Sequence, residues 1–238
     1  AGGFAHEIRR PLAMVSMGVN NLQQSLEDAV DPRDLLESIK SALKDADAIV
    51  SQLISSSLAN RLKMANCDLL NFVEGMLEIM SETISGAGIT VELKLENTRP
   101  IALMAVEEMR QVFVNIVLNA IQSTPEKGKI IIRVGERKVG QGEAGLKSSR
   151  IGAKLMPGNM GAAFEIEDAG PGFSELELEK LFDPFFKGSG SGPGVGLGMT
   201  VAKQLVELHG VIITVENKTF GSGSKVTVML RLKPSISV

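Results

Sequence analysis

The 238-residue chain contains a single cysteine, Cys67. One thiol excludes an intramolecular disulfide and a cysteine-cluster zinc site, and nothing asks for an oxidising compartment, so a cytoplasmic location is expected. Long apolar runs are also missing. None approaches the about 18 to 20 residues that cross a bilayer, and the N-terminus lacks a basic stretch followed by a long apolar one. Nor does one charge sign prevail: the net charge of −3 gives no global pull toward nucleic acid or acidic membranes, which disfavours a nucleic-acid reader and leaves no membrane contact expected from these residues. What remains is globular in composition, with 44% apolar and 22% charged residues, and long enough for two ordinary domains, each with its own core. The chain starts five residues before His6, so it is expected to be part of a longer protein, with room for a membrane anchor upstream.

From Phe4 to about Glu27, the residues Ile8, Leu12, Val15, Val19, Leu22 and Leu26 alternate spacings of four and three, a heptad seam. After the break at Asp28 to Pro32, a second seam runs through Leu36, Ile39, Leu43, Ala46, Val50 and Leu53. An antiparallel helical hairpin is predicted. A hairpin with one apolar stripe per helix cannot enclose a core alone, whereas two hairpins make a four-helix bundle, so a homodimer is expected; packing of the hairpin onto the second domain is the alternative.

The pattern changes near Ala65. A helix is predicted from Asp68 to Ser85, ended by Gly86 to Gly88, then a strand of period two over Ile89 to Leu95 and a helix over Val106 to Gln122. Further strands are predicted at 129–134, 163–167, 211–216 and 225–232, with helices at 174–181 and 199–208. The result is an α+β fold, a mixed sheet with helices packed on it. Between 134 and 163 lies a Gly/Lys/Ser-rich segment, long for a loop in a compact domain, which suits a short hairpin or a mobile segment.

Four constellations carry chemistry, each with a plainer alternative. His6, in His-Glu-Ile-Arg-Arg-Pro-Leu, is predicted at an exposed "b" position; it suits a nucleophile with Glu7 orienting the ring or taking its proton, or a surface histidine beside the kink that Pro11 imposes. Asn115 and Asn119, four apart, share a helix face and can ligate Mg²⁺ and contact phosphates, or be two buried, hydrogen-bonded amides. Asp168, in Glu-Asp-Ala-Gly-Pro-Gly-Phe at a strand end, can accept a hydrogen bond from an exocyclic amine, or simply begin an Asp-Gly turn. The run Gly194 to Met199 opens a helix and suits an amide cradle for phosphate, or an ordinary Gly-rich loop.

The order and spacing of the HEIRRPL segment, the paired asparagines, the DAGPGF turn, LFDPFFKG and GVGLGM resemble those of two-component sensor histidine kinases over nearly the whole chain. The resemblance implies a dimerisation and histidine-phosphotransfer hairpin over residues 1–64 and an α/β-sandwich ATP-binding domain of the Bergerat type over 65–238. It implies that His6 is the phosphoacceptor with Glu7 as acid/base neighbour, and that Asn119 binds Mg²⁺ with Asn115 beside it. Asp168 resembles the adenine-reading carboxylate, with Gly170 and Gly172 around the base. Residues 182–194 resemble the front of an ATP lid, Lys187 a phosphate-facing base, and Gly196, Leu197 and Gly198 the amide cradle. Gln122, Phe186 and Ser224 complete the implied nucleotide-contacting set, and His209 fits the family's helix end as a structural residue. ATP and Mg²⁺ are the implied cofactors. The implied partners are a second copy of the chain and a response-regulator receiver domain, and the implied setting is cytoplasmic, alone or as part of a membrane-anchored sensor.

Relatives of this ATP fold that hydrolyse ATP carry Glu-x-x-x-Asn, and Asn115 stands in place of the glutamate. An amide cannot act as base toward water, which reserves the γ-phosphoryl group for His6. The chain departs from the pattern at Arg10, where phosphatase-active members have Thr or Asn; at Ala105, where an acidic residue is usual; and at Gln122, where Lys is common. A nucleotide-binding signalling scaffold without phosphotransfer is the alternative function, and an ATPase is disfavoured by Asn115. The lid is expected to order on nucleotide, the stretch from Ala59 to Cys67 to act as hinge, and the loop around 28–34 to decide between cis and trans phosphorylation.

Overall fold

The computed structural model describes residues 62–96, 98–139, 149–150, 158–188, 196–219 and 221–233. The predicted hairpin, His6, Glu7, Arg10 and the lid residues 189–195 lie outside the described residues, as does most of the 137–160 segment. The described residues fall within one compact unit, Leu62–Val238.

The chain enters this unit through strand β1, Met64–Asp68, followed by helices α1, Leu69–Ile79, and α2, Ser81–Gly86. Strands β2, Thr90–Leu95, and β3, Ile101–Ala105, lead into helix α3, Val106–Ser123. Then come β4, Lys129–Lys138, the two-residue β5, Ser149–Arg150, and β6, Met160–Glu167. Helices α4, Glu175–Lys180, and α5, Gly198–His209, precede β7, Ile212–Asn217, and β8, Ser224–Leu232.

The strands form one mixed sheet in the order β1-β3-β8-β6-β4-β2, with β7 beside β8 and β5 beside β7. Among the described residues only β2 and β4 run parallel; the other pairings are antiparallel. Alternation sorts side chains by face. Ile130, Ile132, Val134, Phe164, Ile166, Val226 and Val228 are buried on the face that carries α1, α3 and α5. Phe113 of α3 meets Phe72 of α1 edge-on at 6.0 Å between ring centroids and Phe164 of β6 at 5.5 Å, a contact that seats α3 on the sheet.

The α+β reading with a mixed sheet holds. Three local expectations change. Met64 to Cys67 is not hinge but ladder, paired with β3 from Met64↔Ala105 to Asp68↔Ile101. The helix expected from Asp68 to Ser85 breaks at Met80, whose φ of −90° and ψ of 3° interrupt the helix while burying its side chain. The strands flanking the long segment are longer than predicted: β4 and β6 stay in register out to Lys138↔Met160, and Val139 donates to the Asn159 carbonyl at 2.7 Å.

Candidate functional site

Helix α3 sorts its side chains onto two faces. Met109, Val112, Phe113, Ile116, Val117 and Ala120 are buried in the core, while Asn115, Leu118, Asn119 and Gln122 line an adjoining cavity of about 320 Å³. Ala105 precedes the helix and offers no capping side chain. Its own N–H donates to Nε2 of buried His209 at 3.2 Å, and Nδ1 of His209 lies 2.7 Å from the Leu205 carbonyl. Since a backbone N–H only donates, Nε2 accepts and the ring proton sits on Nδ1. His209 thus ties the end of α5 to the start of α3, a structural role as expected. Glu107 and Glu108 supply the acidic first turn in place of the residue missing at 105.

Opposite α3, the uncapped N-terminus of α5 faces the same cavity through Gly196, Leu197, Gly198 and Met199. Its first-turn N–H groups lack side-chain acceptors from a cap and carry the positive end of the helix dipole, a ready anion cradle. Gly196 has φ +79°, and a Cβ there would stand 2.6 Å from the Phe186 carbonyl oxygen, so only glycine lets this turn lie against Phe185 and Phe186. Thr200 donates to the Phe182 carbonyl at 3.2 Å, and Lys203 Nζ lies 5.8 Å from the centroid of the Phe182 ring. These two contacts hold the Phe182 to Lys187 segment along α5, bringing Phe186 and Lys187 to the cavity wall.

Asp168 follows β6 and is 4% exposed. Its Oδ1 accepts from the Gly170 N–H at 2.7 Å and the Ser224 N–H at 3.2 Å, and its Oδ2 from the Ser224 hydroxyl. All three partners donate, which suits a carboxylate, and a fourth lone-pair site remains for another donor. Ser224 reaches Asp168 because β6 and β8 are paired neighbours. Gly170 packs against the end of α3, where a Cβ would come 2.7 Å from the Ser123 carbonyl oxygen.

The structure therefore gathers Asn115, Asn119, Gln122, Phe186, Lys187, Gly196, Leu197 and Gly198 around one cavity. Asp168, Gly170, Gly172 and Ser224 do not line it. They form a second cluster, connected to the first by Phe173, which lines the cavity, and by the end of α3. Leu118, Phe173, Leu181 and Met199 also line the cavity; helical spacing beside Asn115 and the DAGPGF, LFDPFFKG and GVGLGM motifs could have found all four. Asn217 and Lys218, which hydrogen-bond Phe173 and Asp168, were not singled out by sequence reasoning.

The arrangement offers an amine acceptor at one end, an apolar wall at Phe173 and Leu181, and amides facing an anion cradle at the other. A nucleoside polyphosphate matches that order of chemistry. Comparisons with known proteins agree. The chain is 26% identical over 232 residues to the sensor histidine kinase ZraS of Escherichia coli strain K12, covering 97% of this chain and 44% of ZraS, so it spans less than half of that relative. Among solved structures, full-length ShkA in complex with AMPPNP matches with a TM-score of 0.58 at 20% identity, covering 98% of this chain and 45% of that one. Histidine kinase ThkA in complex with response regulator protein TrrA matches with a TM-score of 0.56 at 22% identity, covering 97% of this chain and 60% of that one. The sequence profile of the histidine kinase-, DNA gyrase B-, and HSP90-like ATPases matches residues 104–234, over half the chain and all of the site described above, and the chain belongs to that family.

Proposed function

We propose that this chain is the kinase core of a two-component sensor, which binds ATP with Mg²⁺, phosphorylates His6 and passes the phosphoryl group to an aspartate of a response regulator. The observation that carries the reading is the facing of the Asn115–Asn119–Gln122 row by the open N-terminus of α5, beside a carboxylate already loaded with donors. Asp168 reads the adenine amine, Phe173 flanks the base, and Lys187 and the Gly196 to Gly198 amides take the phosphates. Among the described residues no group of three His, Cys, Asp or Glu side chains suits a metal. Mg²⁺ therefore fits as a companion of phosphate oxygens, with the Asn119 amide oxygen as protein ligand. When bound, it neutralises charge on the triphosphate.

Asn115 supplies no base for water, so phosphoryl transfer goes to a nucleophile within the protein. The imidazole of His6 attacks the γ-phosphorus. An N–P bond forms as the P–O bond to the β-phosphate breaks, ADP leaves, and the ring proton passes to Glu7. The proposed division is a dimerising hairpin over residues 1–64 and the ATP-binding domain over 65–238, with Met64, the first residue of β1, at the junction. A homodimer built from the hairpin and a cytoplasmic setting belong to the same reading; among the described residues no helix is long and apolar enough to cross a membrane. The ShkA complex with AMPPNP and the ThkA complex with a response regulator support the choice of nucleotide and partner.

Incubation with γ-labelled ATP and Mg²⁺ tests this. Acid-labile, alkali-stable label is expected on the chain and absent from its His6→Gln variant. ATP bound with no label on the parent chain would favour a nucleotide-binding scaffold, and rapid release of free phosphate an ATPase.

A further inference from the structure

We infer that Asn217 is a positioning residue for the base end of the nucleotide site, setting Phe173 against Asp168 through a paired amide clamp. The inference rests on the nucleotide reading above and adds to it a residue outside the lining of the cavity described above. Asn217 is the last residue of β7 and is exposed. Its side-chain Nδ2 donates to the Phe173 carbonyl at 2.6 Å, and its Oδ1 accepts the Phe173 N–H at 2.8 Å. The two partners fix the orientation of the amide, because an N–H can meet only the oxygen. One carboxamide thus pairs with both backbone groups of one residue, as a neighbouring strand would, and leaves Phe173 no freedom to shift along the loop.

The surroundings are shaped to that clamp. Gly172 has φ +78°, and a Cβ on it would stand 2.7 Å from Asn217 Oδ1. Asn217 lies directly opposite Ser224 in the β7–β8 register. One rung of the hairpin therefore holds both ends of the Asp168 to Phe173 turn: Ser224 grips the carboxylate and Asn217 the backbone of Phe173. Lys218 adds a bond from Nζ to the Asp168 carbonyl at 3.0 Å. Just beyond Phe173, Ser174 and Glu177 form a capping box that starts α4, so the turn is held at its far side as well. Of these ties, the Asn217 pair is the one that acts on Phe173 itself, a residue of the cavity wall.

The experiment is ATP titration of the full chain, Asn217→Ala, Asn217→Asp, Phe173→Ala and the Asn217→Ala/Phe173→Ala double variant, each with a thermal melt. Asn217→Ala should weaken ATP about five- to tenfold, the worth of one net hydrogen bond. Asn217→Asp, the same size, should weaken it at least as much, because its second oxygen faces the Phe173 carbonyl. In the Phe173→Ala background, Asn217→Ala should change affinity less than about twofold, the non-additivity expected of a residue that acts through another. Unchanged affinity in Asn217→Ala, a near-wild-type Asn217→Asp, or additive effects in the double variant would each overturn the inference. A parent chain that binds no ATP would instead remove the nucleotide reading itself.

Discussion

Asp168 shows how one carboxylate is set up to discriminate. Its two oxygens accept from three donors, the N–H groups of Gly170 and Ser224 and the hydroxyl of Ser224. A ligand group approaching it must donate, so an exocyclic amine is accepted and a ring carbonyl refused. In Asp168→Asn an NH₂ would have to face at least one of those donors, and the charge would be lost. ATP affinity is expected to fall about 10- to 100-fold, checked by calorimetric titration. Ser224→Ala, which removes one of the three bonds, is expected to cost less. The Asp-Ala-Gly-Pro-Gly-Phe run made Asp168 visible as a candidate in the sequence. Its donors were less visible: Gly170 lies two residues on, but Ser224 is 56 residues away and meets Asp168 only through the β6–β8 ladder.

Among the helices, α1 carries the clearest electrostatic device. Asp68 caps it, accepting the Asn71 N–H at 3.0 Å, and receives Arg99 Nε at 2.6 Å. Partial burial pushes its carboxyl up, but the Asn71 amide and Arg99 together outweigh burial and hold it below the ordinary carboxylate range. With the folded value below the unfolded one, the contribution to stability is present above the unfolded pKa of about 3.9 and is lost as pH falls through the folded value. Asp68→Ala should therefore cost about 0.5–2 kcal/mol near neutrality, read from urea midpoints. The difference from the parent should shrink toward zero in strong acid. The residue was legible as a helix start, but Arg99, 31 positions on, carried no signal pointing to it. The break at Met80 was equally hidden, since the apolar period runs through it unbroken.

Across the molecule, the face of the sheet turned away from the helices is closed by its own charges. Arg133 bridges Glu165 and Glu167, Arg137 bridges Glu96 and Glu165, and Lys225 bridges Glu165 and Glu216. At the β2 end Glu92 pairs with Lys94 and Lys129. Burial works against the charge on Arg133, yet Glu167 and Glu165 hold its pKa above the ordinary value. The node is Glu165, 4% exposed at the middle of β6 and facing three cations. Removing it in Glu165→Ala leaves those cations partly buried without their shared partner, a loss of about 1–3 kcal/mol once their residual exposure is allowed for. A lowered thermal midpoint would check this, and an unchanged one would mean that solvent already satisfies the cations.

Local chemistry decided the elements that have a strong period of their own. The Asn115–Asn119 spacing placed two amides on one helix face, the glycines at 196 and 198 marked a turn before a helix, and alternation marked β2. Tertiary structure alone decided the rest. The short β1 and β3 are strands because they pair with each other, not because five residues can show a period. The site is one place because α3 and α5 pack together on the sheet, with His209 bridging their ends. The turn that carries Asp168 is held by Asn217, Lys218 and Ser224, which have no local pattern. A hydrogen bond between residues about 50 positions apart exists only once strand order and register are set, and those follow from burying one face of the whole sheet at once.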